Sequence, residues 1–84
     1  MSEQMDPGAY AKMHQKAFRT AFDFLAGHFP PGDDDEWWLQ TAKDCSAASV
    51  LAGENILVME LLTAIMNYLG DEYKRRYQDG KADN

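Results

Sequence analysis

The acidic run Asp33-Asp34-Asp35-Glu36 is the densest cluster of chemically capable side chains in this chain. Consecutive carboxylates are the raw material of a divalent-cation loop, because hard cations take oxygen ligands. The run departs from the EF-hand pattern at both diagnostic places. Trp38 stands where the sixth-position glycine belongs, and Asp44 where the twelfth-position glutamate belongs. The local pattern supports a structural reading instead. Asp33 and Glu36 have the spacing of an N-cap and its N3 partner, which predicts a capping box at a helix start. The further carboxylates favour the positive end of the helix dipole.

His14 and His28 are the only histidines, and Cys45, Asp44 and Glu54 complete the set of imaginable metal donors. No two of them have the spacing of a paired His or paired Cys ligand motif, so no metal and no cofactor is expected. Cys45 could be a nucleophile, but it falls in the middle of a helical pattern among small residues. That is far from the helix N-terminus that would make it a thiolate, so it reads as a small buried hydrophobe. Ser46 and Ser49 have no base placed near them by the pattern, and there is no glycine-rich phosphate loop. The chain is not expected to be an enzyme.

The elements that would position these residues are helical throughout. The stretch Asn55 to Tyr77 carries the greatest concentration of large apolar side chains. Val58, Leu61, Leu62, Ile65, Leu69 and Tyr73 follow one helix face. Leu57, Leu61, Ala64 and Tyr68 form a second row, and Ile56, Met59 and Met66 lie on neither. Glu60, Thr63 and Asn67 leave one narrow polar edge, so this helix needs packing partners on more than one side. Gly70 leaves two courses open, a break with Asp71 as a new cap or a helix that runs through; the pattern favours the second.

Two further helices precede it. Asp6-Pro7 is a cap followed by a first-turn proline, with Met5 and Tyr10 at hydrophobic-staple positions. The first helix should run over about 7–26, with Tyr10, Met13, Ala17, Phe18, Ala21, Phe22 and Leu25 facing inward and Phe24 beside that stripe. Gly27 and Pro30-Pro31-Gly32 end it, and Phe29 folds back over the core. The second helix should cover about 34–51, with Trp38, Thr41, Ala42, Cys45, Ala48, Ser49 and Ala52 inward. Gly53 is a natural C′ stop, and Asn55 can cap the third helix, expected over about 55–78. No strand pattern, repeat or low-complexity tract interrupts this order. Short loops make neighbouring helices antiparallel. The expected fold is all-α: a small antiparallel three-helix bundle in one domain spanning 1–84, with a long central C-terminal helix and flexible segments at 1–5 and 79–84.

Trp37-Trp38 asks whether the surface does something. Adjacent helical residues point about 100° apart, so both rings are not expected on one core. Trp38 continues the inner stripe. Trp37 is placed on the flank, where it either covers the edge of the first helix and the Phe29 loop or anchors a partner. Ile56, Met59 and Met66 raise the same choice, because the second helix offers mainly small side chains to cover them. Either the core is rich in Met, or this face meets another subunit. The candidate interface is therefore Trp37, Ile56, Met59 and Met66.

Composition narrows the partners. The 84 residues carry a net charge of -6, which argues against a nucleic-acid face and against anionic lipid. Lys74, Arg75 and Arg76 are the one basic cluster, and the end of a helix accounts for them. A single cysteine suits a reducing compartment. No signal-peptide pattern is present, and no apolar run approaches the roughly 20 residues that span a bilayer. A cytoplasmic location is expected, with a protein or a second copy as partner, and neither nucleic acid nor membrane.

Taken together, Phe22-Asp23-Phe24-Leu25, His28-Phe29-Pro30-Pro31, Asp35-Glu36-Trp37-Trp38, Leu61-Leu62, Tyr68-Leu69 and Tyr73-Lys74-Arg75-Arg76 resemble the short all-helical open reading frames of Firmicutes phages and conjugative elements. The resemblance covers about Tyr10 to Arg76 and transfers no catalytic or binding residue. It implies a cytoplasmic accessory role in a mobile element. The leading functional expectation is a non-enzymatic, self-associating protein-interaction module. The alternative is an acidic inhibitor that mimics nucleic acid on a basic protein, motivated by the charge and by Asp33 to Glu36.

Overall fold

Each helix boundary follows from a local backbone requirement. The computed structural model describes residues 7–53 and 55–78, so the expected Asp6 cap, the Met5 staple, Glu54 and the two terminal segments lie outside the described residues. α1 runs Pro7–Gly27, α2 Asp35–Leu51 and α3 Ile56–Tyr73. α3 passes through Gly70 without a break and continues into one π-helical turn, Lys74–Gln78. The protein is an all-α three-helix bundle, and its last helical stretch, Ile56 to Gln78, is the longest.

Asn55 caps α3 as expected: its Oδ1 accepts from Leu57 N–H at 2.8 Å and from Val58 N–H at 3.4 Å. Gly53 takes φ of +72°, a left-handed conformation that glycine adopts without steric penalty, and so turns the chain between α2 and α3. The expected capping box at Asp33 and Glu36 is corrected by one residue. Asp34 is the N-cap, and its Oδ1 accepts from the Trp37 N–H at 2.8 Å. The reason lies in the turn before it. The Trp37 side chain packs on Gly32 so closely that a Cβ there would stand 2.6 Å from the indole Cγ. The helix starts where that contact lets it.

The core is built on Ala17, Phe24, Val58, Leu62 and Leu69, with Leu69 wholly enclosed. This corrects the expected face of α1. Phe18 and Phe22 were expected inside but are 57% and 64% exposed, whereas Phe24 is buried. At about 100° per residue, α1 is turned by roughly a sixth of a revolution from the expected orientation. The small residues Ala17 and Ala21 bring the helix axes close, and Phe24 is held inside by its stack on His28, with ring centroids 4.2 Å apart. On α2 the buried position is Thr41, while Ala42 is exposed.

α1 and α3 run parallel and in register. Ala17 and Val58 line one small cavity near their N-terminal halves. Further along, Phe29 stacks on Tyr68 at 5.8 Å, with the Arg76 guanidinium 5.2 Å from the centre of the phenyl ring. Phe29 thus folds back as expected, but onto α3 and still 38% exposed. The π-helical turn is fastened by Glu72, which accepts from Arg75 at 2.8 Å and Arg76 at 3.2 Å, and by the Tyr77 hydroxyl donating to the Pro31 carbonyl at 3.3 Å.

Candidate functional site

His28 makes two side-chain hydrogen bonds and two ring contacts, and one of the bonds crosses to α2. It sits one residue past the end of α1, with its own N–H bonded to the Leu25 carbonyl at 3.0 Å, so the last turn of α1 fixes its direction. Its Nδ1 lies 2.7 Å from the Phe24 carbonyl and its Nε2 2.8 Å from Asp44 Oδ2 on α2. A carbonyl and an ionised carboxylate can only accept, so both bonds form together when the ring carries both protons. The imidazole lies flat on Phe24 and meets the edge of Trp37 at 6.4 Å. Gln40 donates to the other Asp44 oxygen at 2.9 Å. These bonds, that from His28 first, hold the Asp44 carboxyl below its ordinary value of 3.8.

The chemical capacity of this node is that of a tie between helices. A catalytic His–Asp pair needs a ring nitrogen directed at a third group. Here one nitrogen faces the backbone and the other faces the carboxylate. Cys45, next to Asp44, is half-buried, and burial pushes its thiol above the ordinary value, away from the reactive thiolate. His14 stands about 20 Å along α1 from His28, at about 1.5 Å per residue, and stacks loosely on Tyr10. Among the described residues, no three His, Cys, Asp or Glu side chains come together as a metal-binding group.

The candidate interface residues part company. Trp37 and Met66 belong to the packed interior, half-buried against the core cluster. Trp37 and Trp38 both reach the core because they straddle the buried Thr41: the pair meets edge to face at 4.8 Å, and Trp38 continues onto Tyr73 at 5.8 Å. The 100° between neighbours places them on either side of the inner face. Ile56 and Met59 remain at the surface, at 73% and 45% exposure. Ile56 stands with Thr63 and Asn67 on the outer edge of α3, while Met59 borders a shallow cleft against Cys45, Ser46 and Ser49 of α2.

A groove of about 440 Å³ runs along the α1–α2 side, above the His28–Asp44 bond, between Lys16 and Thr20 on one wall and Ala48 and Leu51 on the other. The opposite side of α1 presents Phe18 and Phe22. The acidic residues Asp33, Asp34, Asp35 and Glu36 are all exposed. Residue pattern did not reveal the His28–Asp44 node, because the partners are 16 positions apart and neither belongs to a spaced motif. The one available signal was a histidine directly after a helix-ending glycine, opposite a helix that carries a lone Asp on its inner half. Compared with protein-family models, with curated proteins and with solved structures, the chain gives no match.

Proposed function

We propose that this chain is a small non-enzymatic helical interaction module that associates with itself and serves as a cytoplasmic accessory protein. The observation that carries the reading is the number of large apolar side chains left at the surface of so small a bundle. Phe18 and Phe22, one turn apart on the same flank of α1, are 57% and 64% exposed. Contiguous apolar patches beyond a few hundred Å² on a soluble chain mark contacts with other molecules. The His28–Asp44 tie fits the same reading, since by anchoring the end of α1 it fixes which side chains α1 turns to the surface. No helix among the described residues is long and apolar enough to cross a membrane. The mobile-element origin rests on the resemblance alone.

The test is absolute mass in solution, by light scattering behind a sizing column, across a wide concentration range. A mass that rises to a dimer or higher form is the expected result. A single monomer mass at the highest concentration would overturn the reading.

A second reading, an acidic mimic of nucleic acid on a basic protein, has one specific observation in its favour: Asp33, Asp34, Asp35 and Glu36 are all exposed around one turn. It requires steeply salt-dependent binding to a basic protein. Replacing Asp33, Asp34 and Asp35 together by Asn keeps a competent cap at position 34, and binding that survives this change would dismiss it.

A further inference from the structure

The three grooves of a three-helix bundle are not equivalent, and here one differs in kind. α2 meets α1 on the flank that carries Lys16 and Thr20, and meets α3 on the flank that carries Met59 and Thr63. The α1–α3 groove is therefore lined by the remaining flanks. On α1 these present Phe18 and Phe22, and on α3 they present the exposed Ala64 and Tyr68 with the outer edges of Leu57 and Leu61, which are half-buried against the core. The Phe29–Tyr68 stack closes one end of this groove. Phe18, Phe22, Phe29 and Tyr68 are 57%, 64%, 38% and 44% exposed. With about 150–250 Å² per aromatic side chain, these rings alone present roughly 400 Å². That is about half of the roughly 800 Å² that each partner contributes to a stable interface, before Ala64 and the exposed edges of Leu57 and Leu61 are counted.

The charges beside the groove select the occupant. Between the level of Leu57 and the Phe29–Tyr68 stack, helical rotation places no Asp or Glu on the facing flanks, and Asp71 follows only beyond that stack, so a molecule of net charge -6 can approach another copy along this stretch without opposing carboxylates. The outer margins are of opposite sign: Arg19 stands beyond the Phe18–Phe22 flank on α1, and Glu60 beyond the Leu57–Ala64 flank on α3. The two are level. Ala17 and Val58 line the same cavity, and Arg19 and Glu60 each lie two residues further along parallel helices.

We infer that a second copy of this chain docks in the α1–α3 groove about a two-fold axis parallel to the helices, so that α1 of each copy lies over α3 of the other. This rests on the self-association reading above and names its face. An axis across the helices would set α1 on α1 and bring Arg19 against Arg19. The axis along the helices brings Arg19 of each copy to Glu60 of the other, twice, and seats Phe18 and Phe22 on Leu57, Leu61 and Ala64 of the other copy. Arg19 is available for this exchange, because its bond to Asp23 at 3.3 Å is an exposed pair four residues apart, of the kind that contributes little.

The experiment uses charge reversal on the full chain, with mass and affinity read by sedimentation and light scattering. Arg19→Glu and Glu60→Arg alone each place like charges across both symmetric contacts, and each is expected to weaken association by at least roughly tenfold. An equal mixture of the two variants restores both ion pairs in a heterodimer, and association returns. Phe18→Gln with Phe22→Gln is expected to weaken it by roughly 30-fold or more, as for buried hot-spot aromatics, while Leu39→Gln with Val50→Gln, both exposed on α2, leaves it unchanged. These positions are exposed, and unchanged circular dichroism confirms the fold in every variant. A mixture no tighter than either variant alone would overturn the docking geometry while leaving self-association standing. An unaltered chain that stays monomeric throughout would overturn both.

Discussion

Replacing His28 with Ala tests whether the bundle is tied where the structure places the tie. The substitution removes the bond to the Phe24 carbonyl, the stack on Phe24 and the bond to Asp44. A hydrogen bond of the first kind contributes about 1 kcal/mol, and an aromatic stack about 0.5–1.5 kcal/mol beyond its buried area. Together they come to roughly 2 kcal/mol, and the Asp44 bond adds to this only in part because solvent reaches it. A chain of this length has a total stability of roughly 4–13 kcal/mol, so the loss is a substantial fraction. For a domain of this size it lowers Tm by about 8–16 °C. Asp44→Asn isolates the charge, since the amide oxygen still accepts from the ring. Asp44 in the folded chain is held below its ordinary value, so its ionised form is favoured there. That contribution is complete above the ordinary value of 3.8 and is lost as pH falls through the lowered one. Glu72, held low chiefly by Arg75, acts in the same direction. Asp44→Asn should therefore flatten part of the acid-side loss of stability, and the Glu72 part should remain. Thermal melts followed by circular dichroism from pH 7 down to pH 3 read both effects. If His28→Ala costs under about 0.5 kcal/mol at pH 7, the tie is not structural and the reasoning fails.

Three further substitutions probe neighbouring steps of the argument. Gly32→Ala drives a methyl into the Trp37 side chain, with the nearest atom 2.6 Å away, and should destabilise by about 1–3 kcal/mol with a red shift in tryptophan fluorescence. A melt and an emission spectrum unchanged from the parent would mean that the turn simply relaxes. Leu69→Ala empties the most enclosed apolar site in the described core and should cost about 2–5 kcal/mol in denaturant unfolding, while a cost under 1 kcal/mol would mean the core collapses around it. Asn55→Ala removes the α3 cap and should cost about 1 kcal/mol, with Asn55→Asp recovering most of it; equal melts for the two would show that the cap bond contributes nothing.

The helix order and most boundaries were legible because they are set locally. Gly53 in a left-handed conformation, Asn55 as cap and the run through Gly70 each depend on a few neighbouring residues. What escaped depends on distant partners. The facing of α1 could not be settled by periodicity, because Phe18, Phe22 and Phe24 are equally apolar and differ only in what they meet. The one-residue shift of the α2 cap comes from Trp37 packing on Gly32, a contact between side chain and turn that no capping pattern encodes. The π-helical turn and the Tyr77–Pro31 bond, 46 residues apart, join the last turn to the first loop in a way no spacing announces. For the candidate interface, the surplus of apolar side chains was readable but its address was not. Met66 and Trp37 are half-buried against the core, and the rotation of α1 adds Phe18 and Phe22 to the side chains that α3 leaves exposed.

That displacement has a physical origin in the economy of a thin core. A chain this short buries only about 60–65% of its unfolded surface, so not every large side chain can be seated. Small residues at the contacts, Ala17 and Ala21 on α1 and Ala48 and Ala52 on α2, bring the axes together and leave little room between them. Phe24 takes the space that remains, because the stack on His28 and the His28–Asp44 bond hold that turn of α1 in place. Phe18 and Phe22, about 100° and 140° around the helix from Ala17, are then turned toward solvent. α3 meets the complementary constraint. Its apolar circumference exceeds what two neighbours can cover, and Ala64 and Tyr68, with the half-buried Leu57 and Leu61, lie on the groove that α1 shares with it. The two surpluses are thus adjacent because one arrangement produces both, and a second bundle laid along that groove, as inferred above, would remove them from water together.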